Sequence, residues 1–364
     1  MDSVLVTTEE GRVQEVVSAA AAGEGVVYQP GILCPGFVNC HCHLELSHMR
    51  GMIPEGTGLV KFLSTVIRGR GAGDPEAVAT AIAAGEQEML DDGIVAVGDI
   101  CNTADTLAQK RLGRLRYHNF VETIGFIEGG AQMRFGQALR VLSELGSGSI
   151  VPHAPYSVSP ALFRLIADQA KEAVLTIHNQ EDENENEFLI SGKGPFTPLY
   201  DALGLDISFF HGTGKRSLES WLAYFDKRQP VIAVHNVATR AADLRMAEGY
   251  ALSFCLCPNA NLYIGGRLPE VGLLVRSGCF IVLGTDSLAS NHRLSLLEEL
   301  KTLERAFPEL ETSLLLQWAT LNGAVALGMG ADLGSFEPGK KPGVVLIEGG
   351  DGIRLADTKS RRLV

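Results

Sequence analysis

From residue 37 to about residue 325, short apolar runs alternate with longer amphipathic stretches. The amphipathic stretches have helical periodicity, as at residues 74–90, 160–172, 216–226 and 296–306. Eight apolar runs have the length of buried strands, at residues 37–41, 94–100, 116–123, 149–153, 174–178, 230–235, 251–257 and 280–286. Eight strands separated by helices predict an α/β fold, a closed parallel (β/α)8 TIM barrel. A doubly wound open sheet is the alternative, although no glycine-rich phosphate loop follows the first strand to favour it.

The two ends of the chain have a different pattern. Residues 1–34 have the pattern of short strands with a turn near residues 9–12, and residues 331–364 contain an apolar strand at 343–347. Neither end is long enough to bury a core alone. We therefore predict a small β domain formed from both termini, beside a barrel of residues 35–330.

Composition excludes some classes of partner. The chain has 43 acidic and 31 basic residues, a net charge of −12, which argues against binding to nucleic acid or to an anionic membrane. No apolar run reaches the roughly 18 residues of a membrane span, and no signal peptide is recognisable at the N-terminus. The seven cysteines lie mostly in apolar stretches, which predicts reduced thiols and a cytoplasmic location. A homodimer is the oligomeric state that base rates favour.

His41 and His43 come at the end of the first predicted strand, one residue apart. Side chains at positions i and i+2 of a strand point to the same face, so the two imidazoles can bind one metal ion together. A pair of partly buried polar histidines without a metal is the alternative.

Further polar residues end other predicted strands, as the catalytic residues of such barrels do. They are His153, His178, His235 and Asp286. Any one of them could be an ordinary polar residue, but six such residues at strand ends are not expected by chance. Histidine nitrogens and a carboxylate suit zinc, with ferrous iron as the alternative. Glu181, three residues after His178, is placed to carry protons, unless it is one solvated acid of the run 181–187.

Several motifs in this order resemble the amidohydrolase superfamily. They are the segments 35–39 with 41–43, 178–181, 235–236, 257–261, 283–287 and 333–340. The resemblance is to the branch of hydrolytic deaminases and chlorohydrolases, which includes guanine deaminase, S-adenosylhomocysteine and methylthioadenosine deaminase, and aminodeoxyfutalosine deaminase. It covers nearly the whole chain.

The resemblance implies a role for each matching residue. One divalent metal would be held by His41, His43, His178 and Asp286. Glu181 would carry protons to a ring nitrogen, His235 would polarise and orient a hydroxide, and Asp286 would also accept a proton from it. Binuclear relatives have a bridging lysine or glutamate at the end of the fourth strand, where this chain has His153. That difference favours a mononuclear site and assigns His153 to substrate binding.

The function implied is hydrolytic deamination of a small heterocycle, with an adenine-type nucleoside or aminodeoxyfutalosine favoured. The alternatives are cytosine or guanine deamination, hydrolysis of a cyclic amide or a carbon–chlorine bond, and a catalytically inactive metal-binding relative. Specificity is expected in the loops after the strands. The candidate substrate contacts there are Glu122, His153, Tyr156, Asn261 and Arg267. Arg267 could bind a carboxylate such as that of aminodeoxyfutalosine, or form a structural ion pair.

Overall fold

The computed structural model describes residues 3–349 and 354–364. The predicted small β domain also includes residues 1–2 and 350–353, which lie outside the described residues. The strands are β1 (Ser3–Thr7), β2 (Val13–Ser18), β3 (Ile32–Pro35), β4 (Phe37–Cys42), β5 (Ile94–Cys101), β6 (Arg116–Thr123), β7 (Ser149–Pro152), β8 (Leu175–Asn179), β9 (Val231–His235), β10 (Leu252–Leu256), β11 (Phe280–Leu283), β12 (Val344–Gly349) and β13 (Thr358–Arg362).

The helices lie mainly between the strands of the barrel. They are α1 (Leu59–Gly69), α2 (Pro75–Asp92), α3 (Leu107–Lys110), α4 (Ala131–Leu145), α5 (Pro160–Ala170), α6 (Glu183–Ser191), α7 (Phe196–Ala202), α8 (Ser217–Leu222), α9 (Ala241–Met246), α10 (Pro258–Gly265), α11 (Val271–Arg276), α12 (Leu296–Ala306), α13 (Thr312–Gln317) and α14 (Gly323–Ala326).

Strands β4 to β11 are parallel and lie in chain order, as two four-stranded halves β4-β5-β6-β7 and β8-β9-β10-β11. At one seam between the halves, the His178 amide donates to the His153 carbonyl (2.9 Å). At the other seam, the Thr285 amide donates to the His41 carbonyl (3.0 Å). A doubly wound sheet would instead reverse its strand order near the middle. The predicted (β/α)8 fold is therefore confirmed.

The sequence explains why these elements form where they do. Every residue of β4 and β5 is buried, as expected for parallel strands that are covered on both faces. Helix α2 begins after Asp74, whose carboxylate accepts from the Ala77 amide (3.1 Å), and ends at Gly93 in the left-handed region (φ 92°). Helix α8 is shorter than the predicted 216–226, because the chain after Leu222 continues in tight turns.

Segments near both termini share a small antiparallel sheet, in the order β13-β12-β3. The hairpin β1–β2 forms its own two-stranded sheet, and the predicted domain made from both termini stays a prediction. Hydrogen bonds between Val13 and residues 339–340 tie the hairpin to the C-terminal segment. Gly36 joins the small sheet to the barrel, and a Cβ atom there would lie 2.3 Å from Val95, so only glycine fits.

Two predictions about the chain's environment can be compared with the structure. All seven cysteines are unpaired, and six are buried. Among the described residues, no helix has both the length and the apolar character needed to cross a bilayer.

Candidate metal centre and active site

Four side chains from three strand ends converge at the C-terminal end of the barrel. They are the predicted ligands His41, His43, His178 and Asp286, and we call them the metal centre. The Nε2 atom of His43 lies 3.2 Å from that of His41 and 3.3 Å from that of His178. Asp286 Oδ1 lies 3.3 Å from His43 Nε2 and 3.5 Å from His41 Nε2. Ligands about 2.05 Å from a tetrahedral metal ion lie about 3.3 Å from one another, so the spacing fits a divalent metal.

The protonation of the metal centre also fits a cation. His178 Nδ1 lies 2.8 Å from the His153 carbonyl oxygen, which only accepts, so Nδ1 carries the proton and the Nε2 lone pair faces the centre. Burial lowers the pKa of His178 and lowers that of His43 to about 4, which keeps both imidazoles neutral.

Asp286 supplies the negative charge of the metal centre. Burial acts to raise its pKa, but its hydrogen bond with His41 and the neighbouring histidines lower the pKa overall. Ser290 donates to the second carboxylate oxygen, Oδ2 (2.6 Å), which fixes the orientation of the group. The backbone at Asp286 is left-handed (φ 57°), as it is at His235 (φ 76°). Such strain is tolerated where the surrounding structure holds a residue in place, often at functional sites.

Glu181 lies beside the metal centre and is buried, with a side chain that is 7% exposed. The carboxylate of Glu185 accepts hydrogen bonds from the backbone amides of Gln180 and Glu181 (3.1 Å each) and so holds the turn that carries Glu181. Burial, then the charges of Asp286 and Glu185, raise the pKa of Glu181 well above its ordinary value. Glu181 is therefore unlike a solvated surface acid, and its carboxyl group favours the protonated form more than an exposed glutamate does.

His235 lies between Glu181 and Asn261. Its Nε2 atom is 3.7 Å from Glu181 Oε1, and its Nδ1 atom is 3.0 Å from Asn261 Nδ2. Because the Asn261 Nδ2 group donates to Nδ1, the proton of neutral His235 belongs on Nε2, the ring nitrogen on the side of Glu181.

A cavity of about 340 Å³ opens above the metal centre. Much of its lining is apolar, and we call this part the apolar wall: Phe62, Leu63, Val66, Ile67, Phe126, Ile127, Met133, Leu199, Leu203 and Leu205. On another side, Arg70, Asn102 and Glu122 line the cavity with Glu45 behind them, and these four residues form the polar wall. The cavity thus combines a polar floor with a large surface for apolar groups.

Three of the five candidate substrate contacts line this cavity: Glu122, His153 and Tyr156. Glu122 Oε1 and the Tyr156 hydroxyl are buried without a hydrogen-bond partner. Buried polar atoms are rarely left unpaired, so these two are candidates to bind a ligand. His153 Nδ1 lies 2.7 Å from Ser157 Oγ, and burial lowers the pKa of His153.

Asn261 and Arg267 do not line this cavity, and their assignment as substrate contacts stays a prediction. Asn261 is buried and hydrogen-bonds His235. Arg267 is exposed and lines a neighbouring depression with Asn261, and Glu181 lines both the depression and the cavity. Sequence position alone could not show this, because both residues follow a strand, as Tyr156 does.

A second group of possible ligands comprises Glu122, His153 and His178. However, His178 Nε2 belongs to the metal centre, and its Nδ1 atom donates to a carbonyl. Only two free ligands remain in the second group. The geometry therefore favours one metal ion.

Comparisons with known proteins show the family of the chain. The model of the amidohydrolase family matches residues 32–360. The chain is 26% identical to 5-methylthioadenosine/S-adenosylhomocysteine deaminase of Pelotomaculum thermopropionicum, over 87% of this chain and 72% of the relative. It is 25% identical to aminodeoxyfutalosine deaminase of Nitratiruptor sp., over 96% of this chain and 85% of the relative. A crystal structure of an adenosine deaminase from Xanthomonas campestris with bound zinc superposes with a TM-score of 0.73, at 25% identity, over 95% of this chain and 80% of that one.

Proposed function

We propose, since this chain belongs to the amidohydrolase family, that it is a metal-dependent hydrolytic deaminase of an adenine-type nucleoside. The observation that carries the proposal is Glu181, a buried acid of raised pKa beside the metal centre. A proton carrier in this position suits protonation of a ring nitrogen. The names of the two relatives described above, both nucleoside deaminases, support the same reaction.

We propose one divalent metal, held by His41, His43, His178 and Asp286. Zinc is favoured because the donor set is three imidazoles and one carboxylate, and because the Xanthomonas campestris relative binds zinc. Ferrous iron is the alternative. The metal would supply Lewis-acid activation of a water molecule when bound.

The residues of this chain would then move protons and orient the reactants. Glu181 protonates a nitrogen of the heterocycle and makes the neighbouring amino-bearing carbon more electrophilic. Asp286 accepts a proton from the attacking water, and the Nε2–H group of His235 orients that water. Glu181, now ionised, accepts the second proton of the attacking water from the hydroxyl group on that carbon and passes it to the departing amino group, which leaves as ammonia. The proton held by Asp286 then returns to Glu181. Each step lies within a buried site, where electrostatic interactions are strong.

The cavity supports a substrate larger than a free base. Glu122 Oε1 and the Tyr156 hydroxyl have no hydrogen-bond partner in the protein, and the apolar wall can contact a bulky group on the sugar. We propose that His153, Tyr156 and Glu122 contact the substrate. Aminodeoxyfutalosine and 5′-methylthioadenosine both remain candidates. A cytoplasmic location, a homodimer and the domain boundaries at residues 34 and 330 remain predictions.

Ammonia release tests the proposal directly. Purified protein loaded with zinc would be assayed with adenosine, 5′-methylthioadenosine, S-adenosylhomocysteine, aminodeoxyfutalosine, guanine and cytosine. We expect turnover of at least one adenine-type nucleoside and little turnover of the free bases. Glu181→Gln protein, prepared in parallel, controls for contaminating deaminases. Ammonia from guanine or cytosine alone, or from none of the panel, would contradict the proposal.

A further inference from the structure

The unpartnered carboxylate oxygen of Glu122 is the starting point. Glu122 lies at the end of β6, its side chain is 3% exposed, and it lines the cavity. Its Oε2 atom accepts one hydrogen bond from Asn102 Nδ2 (3.1 Å), whereas Oε1 accepts none. The nearest ring nitrogen, His178 Nδ1, lies 3.5 Å away but gives its proton to the His153 carbonyl. Among the described residues, no lysine or arginine forms an ion pair with Glu122.

The rest of the polar wall fixes the orientation of this carboxylate. Arg70 Nη1 donates to Asn102 Oδ1 (3.1 Å), and Arg70 Nη2 donates to Glu45 (2.6 Å). Arginine only donates and a carboxylate only accepts, so the Asn102 amide between Arg70 and Glu122 has a single consistent orientation. Glu45 also accepts from the backbone amide of Asn102 (3.0 Å). Asn102 therefore fixes Glu122 through Oε2, and Oε1 remains available to accept a hydrogen bond from a ligand.

The free oxygen needs a hydrogen-bond donor from the ligand. Leaving a buried charged acceptor unpaired is costly, and pairing it recovers that cost. An adenine-type nucleoside has few donors besides the amino group that reacts at the floor, and these are the sugar hydroxyls. We propose that the polar wall is a subsite for a ribose hydroxyl, with Glu122 Oε1 as the acceptor. This inference rests on the proposed function and makes the enzyme selective for ribonucleosides.

The expected selectivity can be estimated from hydrogen-bond energies. A hydrogen bond to a charged group contributes about 1.5–3 kcal/mol, or about a 10- to 100-fold change in kcat/KM. A deoxynucleoside would lose that bond and leave the carboxylate unpaired. The wild-type enzyme should therefore prefer 5′-methylthioadenosine over its 2′-deoxy or 3′-deoxy analogue by about this factor.

The decisive experiment measures kcat/KM for these three nucleosides in the wild-type enzyme and in Glu122→Gln. In the variant, the glutamine carbonyl must face Asn102 Nδ2, so an NH₂ group faces the cavity and the acceptor is lost. We expect the ribose preference to fall about tenfold. Glu128→Gln is the matched control, since Glu128 is an exposed acid in the loop after β6 and does not line this cavity. Its preference should equal that of the wild type. Metal content and thermal unfolding would be measured for each protein.

The outcomes separate this inference from the proposed function. Ammonia release with equal kcat/KM for all three nucleosides overturns the inference and leaves the deaminase proposal standing. A ribose preference that persists in Glu122→Gln overturns the role of Glu122. No ammonia from any nucleoside overturns both proposals. If Glu122→Gln does not fold, Glu122→Leu gives a second reading, because an apolar replacement of a buried carboxylate preserves packing and removes the acceptor.

Discussion

At the floor of the cavity, polar side chains converge on a common centre, whereas its walls are largely apolar and contain two polar atoms that have no hydrogen-bond partner. The four groups of the metal centre lie 3.2–3.5 Å from their neighbours. On the wall, Glu122 Oε1 and the Tyr156 hydroxyl have no partner. The difference indicates that the floor is organised around a cation and the reaction, whereas the wall is organised around the substrate.

The two regions also differ in how the chain supplies them. Floor residues come from the ends of strands β4, β8, β9 and β11, which the barrel holds in fixed positions. Most wall residues come from helices α1, α4 and α7 and from the segments that follow strands and helices, although Glu122 lies at the end of β6 itself. Mutations in the floor should therefore affect the reaction of every substrate, and mutations in the wall should affect the choice of substrate.

The largest effect is expected from removal of the metal, which tests whether the floor of the cavity is a metal site. Chelation should abolish ammonia release, and one equivalent of zinc per chain should restore it. A ligand that binds the native state tightly stabilises it by about 4 kcal/mol at a thousand times its Kd, so the apoprotein should also unfold at a lower temperature. Elemental analysis and thermal unfolding measure both effects. Two equivalents of metal in the active protein would show that the second ligand group is also occupied.

A smaller but still large effect is expected at Glu181. Glu181→Gln should keep the metal and lower kcat by about 10² to 10⁴, because an amide can form hydrogen bonds but cannot carry protons. The reduction in kcat should be similar for every substrate, because residues of the floor are expected to act on the reaction and not on the choice of substrate. Glu183→Gln is the control, since Glu183 lies two residues further on and is 45% exposed. Loss of metal from Glu181→Gln would make Glu181 a ligand, and near-normal kcat would remove it from the reaction.

The same difference explains how much the sequence could predict. The alternation of strands and helices predicts the barrel, and a polar residue at a strand end must lie at the C-terminal rim. The sequence alone therefore places His41, His178 and Asp286 together. The closed barrel brings the C-terminal ends of its strands to one rim, so a residue that ends a strand is placed without knowledge of the loops.

Apart from Glu122, the polar wall could not be predicted in this way. Arg70 follows helix α1, Asn102 follows β5, and Glu45 lies in a 3₁₀ turn after β4. Their contact depends on the paths of three loops, which sequence periodicity does not determine. For the same reason, the sequence does not predict that Asn261 hydrogen-bonds His235. Likewise, the strand patterns of the termini do not specify that β1 pairs with β2 and that β3 pairs with β12.

A moderate effect is expected at His153, which belongs to the wall although it ends a strand. His153→Ala should retain the metal and lower kcat/KM about tenfold, the loss expected for a hydrogen bond of about 1.4 kcal/mol. If the contact is equal in the ground and transition states, KM rises and kcat changes little. Steady-state kinetics and metal analysis together measure this. Loss of the metal would show that His153 is a metal ligand, and would contradict its assignment to substrate binding.

The smallest effect is expected at the apolar wall, where a single side chain contributes only part of the contact. Met133 lies on α4, lines the cavity and is 57% exposed, so replacing it should leave the fold intact. Burial of apolar surface contributes about 25 cal/mol per Å², and the loss of roughly 30 Å² of contact would lower kcat/KM about threefold. Met133→Ala should therefore lower kcat/KM for 5′-methylthioadenosine by this factor and leave that for adenosine unchanged. Leu139→Ala is the matched control, since Leu139 is exposed on the same helix and does not line the cavity. Equal losses of kcat/KM for both nucleosides in Met133→Ala would mean that the apolar wall does not bind the 5′ substituent. Helix α4 would then have no part in the choice of substrate.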